Sequence, residues 1–185
     1  MNNQAMPAEK ALEKLKEGNK TYLNSAANPG DVSVQIRKKT CDEGQFPYAI
    51  VITCSDSRVI PESIFSAGIG EIFTIRVAGN VMDNHQLGSV DYAADHLGSK
   101  LVVVLGHTHC GAVGAALSSK PEGYIKTITD EILKAAGDEK DENKACILNV
   151  ERSVKIIKDS LKLSEGTLVC GAVYDIESGK VDFLD

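Results

Sequence analysis

Two apolar runs constrain this chain more than anything else in it. Tyr48-Ala49-Ile50-Val51-Ile52-Thr53 and Leu101-Val102-Val103-Val104-Leu105 are short, unbroken and rich in β-branched residues. A strand with one wet face alternates apolar and polar residues. An unbroken run of this length fits a strand buried on both faces, as in a parallel sheet covered by helices. Glu71–Arg76 and Thr167–Tyr174 read as two more strands. Helical stretches lie between them: Pro61–Ala67, Asn84–Leu97, Gly111–Leu117, 122–137 and 144–161. In the second of these Asn84 is expected as the cap, Gly98 as the stop, and Leu87, Val90, Tyr92, Ala94 and Leu97 as the apolar face. Asp175–Lys180 reads as a hairpin connection into a last strand, Val181–Leu184.

The expected fold is therefore α/β, a mainly parallel sheet flanked by helices, with an antiparallel C-terminal edge strand. Ahead of it, residues 7–24 form an amphipathic helix that opens on Pro7 and is closed off by Asn28-Pro29-Gly30. Residues 31–44 are polar and read as mixed helix and loop. The organisation expected is a single domain over 1–185, with an N-terminal helical arm at 1–30 and the α/β core at 45–185. The arm can pack on its own domain or on a neighbouring subunit.

Chemistry stands at the ends of the two apolar runs. The first leads into Cys54-Ser55-Asp56-Ser57-Arg58, the second into Gly106-His107-Thr108-His109-Cys110-Gly111. Sites in open α/β sheets form beyond the carboxyl ends of strands, where the strand order reverses. Cys54, His107 and Cys110 would then make a Cys2His set. Three protein ligands with a fourth position open is the pattern of a catalytic zinc site. Thiolate and imidazole together favour zinc over magnesium or calcium. His109 is the neighbour of Cys110 and is expected to point elsewhere. Asp56 and Arg58, at alternate positions, can pair. Asp56 could close the metal's fourth position, or Arg58 could hold it back as an outer acceptor. A thiol phosphatase is disfavoured, because Cys-x3-Arg is too short for a Cys-x5-Arg phosphate cradle. Ser55-Asp56-Ser57 also lacks the glycines of a nucleotide loop.

Composition excludes several other classes. A net charge of -6 without a dense Lys/Arg patch speaks against nucleic acid. No apolar run approaches the roughly 18 residues of a membrane helix, and Met1–Ala5 carries no secretory signal pattern. Five widely spaced cysteines suit reduced thiols and metal ligands rather than a disulfide framework. The cytoplasm is the expected compartment, with no membrane and no nucleic-acid partner.

Cys-x-Asp-x-Arg followed by His-x-x-Cys-Gly resembles the β-class carbonic anhydrases, and the resemblance covers roughly residues 8–184. Leu12-x-x-Leu15-x-x-Gly18-Asn19 resembles that family's arm. Arg76-Val77-Ala78-Gly79-Asn80 resembles its Arg-Asn-Ala-Gly-Asn turn, with Val77 in place of Asn, and Val173-Tyr174-Asp175 with Gly179 resembles its C-terminal hairpin. The resemblance implies one zinc per chain on Cys54, His107 and Cys110, with Asp56 and Arg58 as a catalytic dyad. The activity it implies is that of a lyase: reversible hydration of carbon dioxide to bicarbonate and a proton by zinc-bound hydroxide. Gln45, Phe73, Ala78, Tyr92 and Gly111 would be substrate-binding positions, with Phe73 and Tyr92 equally well read as ordinary core. Gly111 would let the chain approach the metal.

The resemblance further implies a homodimer, or a tetramer, with the arm crossing to the neighbour. The chain has no Trp, which speaks against the tryptophan-containing bicarbonate control pocket of some members. His85, His96 and His109 are all available as proton shuttles, with none favoured. Two other functions fit the same ligands. One is a zinc hydrolase of carbonyl sulfide or carbon disulfide; the other is a noncatalytic zinc-binding subunit, which would not need the Asp56–Arg58 pair.

Overall fold

Both apolar runs become strands, and they lie side by side. In the computed structural model, which describes residues 5–118 and 121–184, the strands are β1 (Ala49–Thr53), β2 (Ile72–Arg76), β3 (Leu101–His107), β4 (Leu168–Tyr174) and β5 (Val181–Phe183). They form one sheet in the order β2-β1-β3-β4-β5. The first four are parallel and β5 is antiparallel to β4. Every residue of β1 and β3 is buried, as the unbroken apolar runs require. β3 outlasts its apolar run and ends on His107, so this histidine is a strand residue rather than the first residue of a loop.

The helices are α1 (Ala8–Asn24), α2 (Val34–Glu43), α3 (Pro61–Ile64), α4 (Asn84–Asp95), α5 (Gly111–Ser118), α6 (Ile125–Ala136) and α7 (Glu142–Ser160). The cap of α4 is Asp83 rather than Asn84. Its carboxylate accepts from the His85 amide at 2.7 Å while Gln86 reaches back to the Asp83 amide at 3.0 Å, a reciprocal capping box. Its buried face is Val90, Ala93 and Ala94, and Tyr92 stands 46% exposed on the other side.

Alternation along the strands divides the core. Val51, Val103 and Leu105 pack with Ala11 and Leu15 of α1, and with Ile64. Ile50, Ile52, Val102 and Val104 pack with Val90 of α4 and with Val150 and Ile157 of α7. The chain runs from β1 outward to β2, then returns to the other flank of β1 as β3. This reversal opens a crevice at the carboxyl ends of β1 and β3.

The arm packs on its own sheet. α1 buries Ala8, Ala11, Leu15 and Asn19. The Asn19 amide donates to the carbonyls of Ile64 at 3.2 Å and Gly179 at 3.0 Å, and its oxygen accepts from the Val181 amide at 3.0 Å. Asn19 thus ties the arm to β5 and to α3. α2 is different: none of its residues is buried, and Val34 at its start and Val32 just before it are exposed.

Gly18 sits where α1 meets α3, and a Cβ there would lie 2.0 Å from the Phe65 carbonyl oxygen. Gly18→Ala should therefore force backbone apart and cost roughly 1–3 kcal/mol, read as a lower urea midpoint with an unchanged slope. Glu71 gives a second test. Burial pushes its carboxyl up, but the Lys14 ammonium at 2.7 Å and the Gly68 amide at 2.7 Å outweigh it, leaving the group below its usual range. A carboxyl depressed by folding stabilises above its unfolded value and loses that contribution as pH falls through the folded one. With both partners over a third exposed, screening limits the pair to about 1 kcal/mol. Glu71→Gln should cost about that much at neutral pH, and the gap to wild type should close in urea titrations taken down to about pH 3.

Candidate metal centre

Cys54 follows β1 directly, and His107 ends β3. Thr53 pairs with Leu105 across the two strands, so both chains leave the sheet at nearly the same level. After His107 the backbone turns sharply through Thr108 and His109, the latter in the left-handed region at φ 55, and brings Cys110 back to the first turn of α5. Thr108 anchors the turn: its amide donates to the Tyr174 carbonyl at 3.0 Å, and its hydroxyl accepts from the Ile176 amide at 3.0 Å.

The outcome is a cluster of Cys54, His107 and Cys110, whose candidate ligand atoms all lie within 4.8 Å of one another. The residues are 5%, 0% and 4% exposed. His107 Nδ1 lies 2.9 Å from the Thr108 carbonyl, which orients the ring, while its Nε2 is buried without a hydrogen-bond partner. A buried imidazole nitrogen left unpaired between two sulfurs is the donor set zinc takes. The residues therefore fit the ion that the sequence pattern points to.

Two buried thiols this close do not both ionise unless a cation lies between them. The hydrogen bond from Cys110 holds Cys54 well below the usual thiol range, against burial, with help from His107 and from the Gly79 and Asp56 amides. Those amides donate to the Cys54 sulfur at 3.2 and 3.4 Å. Cys110 moves up, because its hydrogen bond to Cys54 and its burial both favour the neutral thiol. Behind the sulfurs, Val81, Val113, Ala116 and Ile132 form an apolar cluster.

Asp56 stands beside the cluster but is held by Arg58. Its Oδ1 accepts from the Arg58 amide and Nε, both at 2.9 Å, and its Oδ2 accepts from Nη2 at 2.7 Å. These bonds hold the carboxyl well below its usual range. Arg58 Nη2 also donates to the His109 carbonyl at 3.1 Å, tying the β1 loop to the β3 turn. Arg58 thus holds both carboxylate oxygens of Asp56, the pairing that their spacing allows. A second arginine completes the loop. Arg76, at the end of β2, donates to the carbonyls of Cys54 at 3.2 Å and Asp56 at 2.7 Å. Nothing in the residue pattern, which marks Arg76 only as the end of a strand and the start of a turn, signals this role.

The remaining sequence candidates separate. Ala78 opens the 3-10 turn Ala78–Asn80 next to Gly79, beside the Cys54 sulfur. Gly111 starts α5 directly after Cys110, and a Cβ there would meet no protein atom within 4 Å. Gln45 is exposed and precedes β1, so a strand length of roughly 17 Å separates it from the Cys54 end. Phe73 pairs with Ile50 low in the sheet. Its ring lies 6.1 Å from that of Tyr92, which lies 5.4 Å from that of His96. Gln45, Phe73 and Tyr92 are not brought to the cluster within this chain. His85 and His96 are exposed on and beyond α4, and His109 is exposed beside Cys110.

With this geometry in hand, the comparisons with known proteins agree with it. The carbonic anhydrase family profile matches residues 49–181. Carbonic anhydrase 2 of Mycobacterium tuberculosis is 40% identical over 127 residues, 66% of this chain and 61% of that protein. This chain thus spans about three fifths of that relative's length. The carbonic anhydrase of Mycolicibacterium smegmatis is 34% identical over 190 residues, covering 93% of this chain and 91% of its own. Among solved structures, the β-carbonic anhydrase CafA of Aspergillus fumigatus superposes with a TM-score of 0.71 at 28% identity, covering 96% of this chain and 90% of its own. One of two tetrameric β-carbonic anhydrases of Sordaria macrospora does so with a TM-score of 0.67 at 27% identity, covering 81% and 91%. An α/β sheet with a Cys2His cluster at its reversal point defines a zinc-type metalloprotein, and the chain belongs to the β-carbonic anhydrase family.

Removing one corner should empty the cluster. Cys54→Ala is expected to lose zinc to a chelator that wild type resists, by at least tenfold in competing concentration. Cys170→Ala, away from the site on β4, should retain wild-type metal. Elemental analysis after dialysis reads both.

Proposed function

We propose that this protein catalyses the reversible hydration of carbon dioxide to bicarbonate and a proton, with one zinc per chain held by Cys54, His107 and Cys110. The observation that carries the reading is the Cys2His cluster with an intact, bidentate Asp56–Arg58 pair at its side. A purely structural metal has no need of that pair.

When bound, zinc supplies a Lewis acid that makes water a nucleophile near neutral pH. The rest is the work of the chain. Asp56 stays ionised because Arg58 holds both its oxygens, so it can only accept hydrogen bonds. It takes one from the attacking water and turns the reacting lone pair toward the carbon. Arg58 also keeps Asp56 from closing the open position. Carbon dioxide carries no charge and no donor, so apolar side chains suit it; Val81 and Val113, packed with the two thiols, keep bulk water from that side, and Ala78 contributes a small side chain. Of the three candidate histidines, His109 is the one next to a cluster residue, Cys110, and it is exposed, which supports it as the residue that passes the proton outward.

Gln45, Phe73 and Tyr92 serve the site in an assembly. Phe73 and Tyr92 lie on the β2 flank of the sheet, with Tyr92 46% exposed, and Gln45 is exposed ahead of β1; a second copy can take them into its own pocket. The assembly is a homodimer or a pair of dimers; a tetramer is what the Sordaria macrospora relatives form. Five free cysteines suit a reducing compartment such as the cytoplasm, and no described helix is long and apolar enough to cross a membrane.

Stopped-flow hydration assays test the reading directly. Wild type should hydrate carbon dioxide far above buffer and hydrolyse carbonyl sulfide poorly, with one zinc per chain. Two thiolate ligands donate more charge than imidazoles, so the rate should climb between about pH 6.5 and about pH 9. Arg58→Leu should keep zinc but lose about tenfold to a hundredfold in rate. A zinc-loaded wild type no faster than buffer would overturn the assignment.

A further inference from the structure

The inward face of α7 carries three polar side chains where apolar ones would fill the space. Cys146, Asn149 and Ser153 are 3%, 2% and 2% exposed, and their spacing of three and four residues sets them in one stripe. Buried polar groups are costly unless bonded. All three donate to backbone carbonyls, and all three carbonyls belong to the walls of the metal centre. The Cys146 thiol donates to the His107 carbonyl at 3.3 Å. The Asn149 amide donates to the Gly79 carbonyl at 2.7 Å, and the Ser153 hydroxyl to the Asn80 carbonyl at 3.1 Å. Between them Val150 fills the space over Gly106, where a Cβ would lie 2.6 Å from Val150 Cγ2 and 2.9 Å from Cys146 Sγ. One helix therefore grips the β3 wall and the 3-10 turn together.

We propose that Asn149 is a positioning residue for the metal centre, holding the 3-10 turn so that the Gly79 amide stays on the Cys54 sulfur. The Gly79 amide donates to that sulfur at 3.2 Å, while its carbonyl is the group Asn149 holds. Gly79 has φ 68, a left-handed conformation that glycine adopts as readily as others, so its own sterics do not fix the turn and hydrogen bonds must. Asn149 fixes the carbonyl side, Ser153 the next carbonyl, and the amide is left aimed at sulfur. An N–H on a ligating thiolate draws charge from it and sets how strongly the sulfur donates. Asn149 touches neither substrate nor metal; it acts through the turn. Cys146 does the same for the other wall through the His107 carbonyl.

This rests on Cys54 being a metal ligand, and a cobalt(II) probe separates the two claims. Cobalt-substituted wild type should show a thiolate-to-cobalt charge-transfer band in the near ultraviolet; a wild type that binds cobalt with no such band overturns the ligand reading along with the role of Asn149. Asn149→Leu, nearly isosteric, should move that band to longer wavelength, because a sulfur without its N–H gives up charge more easily. It should also weaken zinc about tenfold in chelator competition. Ser153→Ala should shift the band the same way by less. Loss of stability alone would leave the band where it is. A folded Asn149→Leu with unmoved band and affinity overturns the proposal; if that variant does not fold, an unmoved band in Ser153→Ala overturns it instead.

Discussion

The metal centre depends on the register between β1 and β3. Thr53 lies opposite Leu105, and its buried hydroxyl donates to the Leu105 carbonyl at 2.8 Å. That bond lies inside the sheet, where no water competes for either group. A slip of one residue would move Cys54 by about 3.3 Å along the sheet and turn alternate side chains to the wrong face. Cys54 and His107, fifty-three positions apart in the chain, reach each other because this pairing has one solution. The alternation of Val51, Val103 and Leu105 toward α1, and of Ile50, Ile52, Val102 and Val104 toward α4 and α7, allows no other.

Around that register the loops are tied by charge-assisted bonds rather than by packing. Arg58 and Arg76 both serve the segment 54–58, one through the Asp56 carboxylate and the other through the Cys54 and Asp56 carbonyls. Guanidinium suits both tasks because its donors form a rigid fork. Arg58 reaches one bond further, to the His109 carbonyl, so the β1 and β3 loops move as one body. α7 closes the same body from below through Cys146, Asn149 and Ser153. The ligands are thus held on backbone fixed from three sides, as a preorganised site demands.

Much of this was legible in the residues, and the parts that were not fail for physical reasons. The strands announced themselves because burial on both faces leaves no polar interruption. The ligands were legible because Cys and His are uncommon and stand at strand ends. The cap of α4 was misplaced by one residue: Asp83 and Asn84 are both good caps, and only the path of the backbone decides between them. Tyr92 was placed on the apolar face, yet Ala93 occupies it, because a helix face shifts by 100° per residue and the pattern there is weak. The arm offered two homes, and within the chain Asn19 ties it to its own sheet through bonds to Gly179 and Val181, some 160 positions away. Asn149 could have been suspected as a polar residue on the inward stripe of α7, but nothing local says which carbonyl it meets.

By itself the sequence determined the strand content, the parallel sheet and the candidate residues at the two strand ends, since each follows from side-chain type and from position after an apolar run. It determined equally that Asp56 and Arg58 could pair, being two residues apart. Tertiary structure alone decided that they do pair, that Arg76 and α7 hold the walls, and that Gln45, Phe73 and Tyr92 stand apart from the cluster of their own chain. Those outcomes turn on hydrogen bonds to backbone carbonyls. Every residue carries such a carbonyl, so no residue pattern marks the one that will be used.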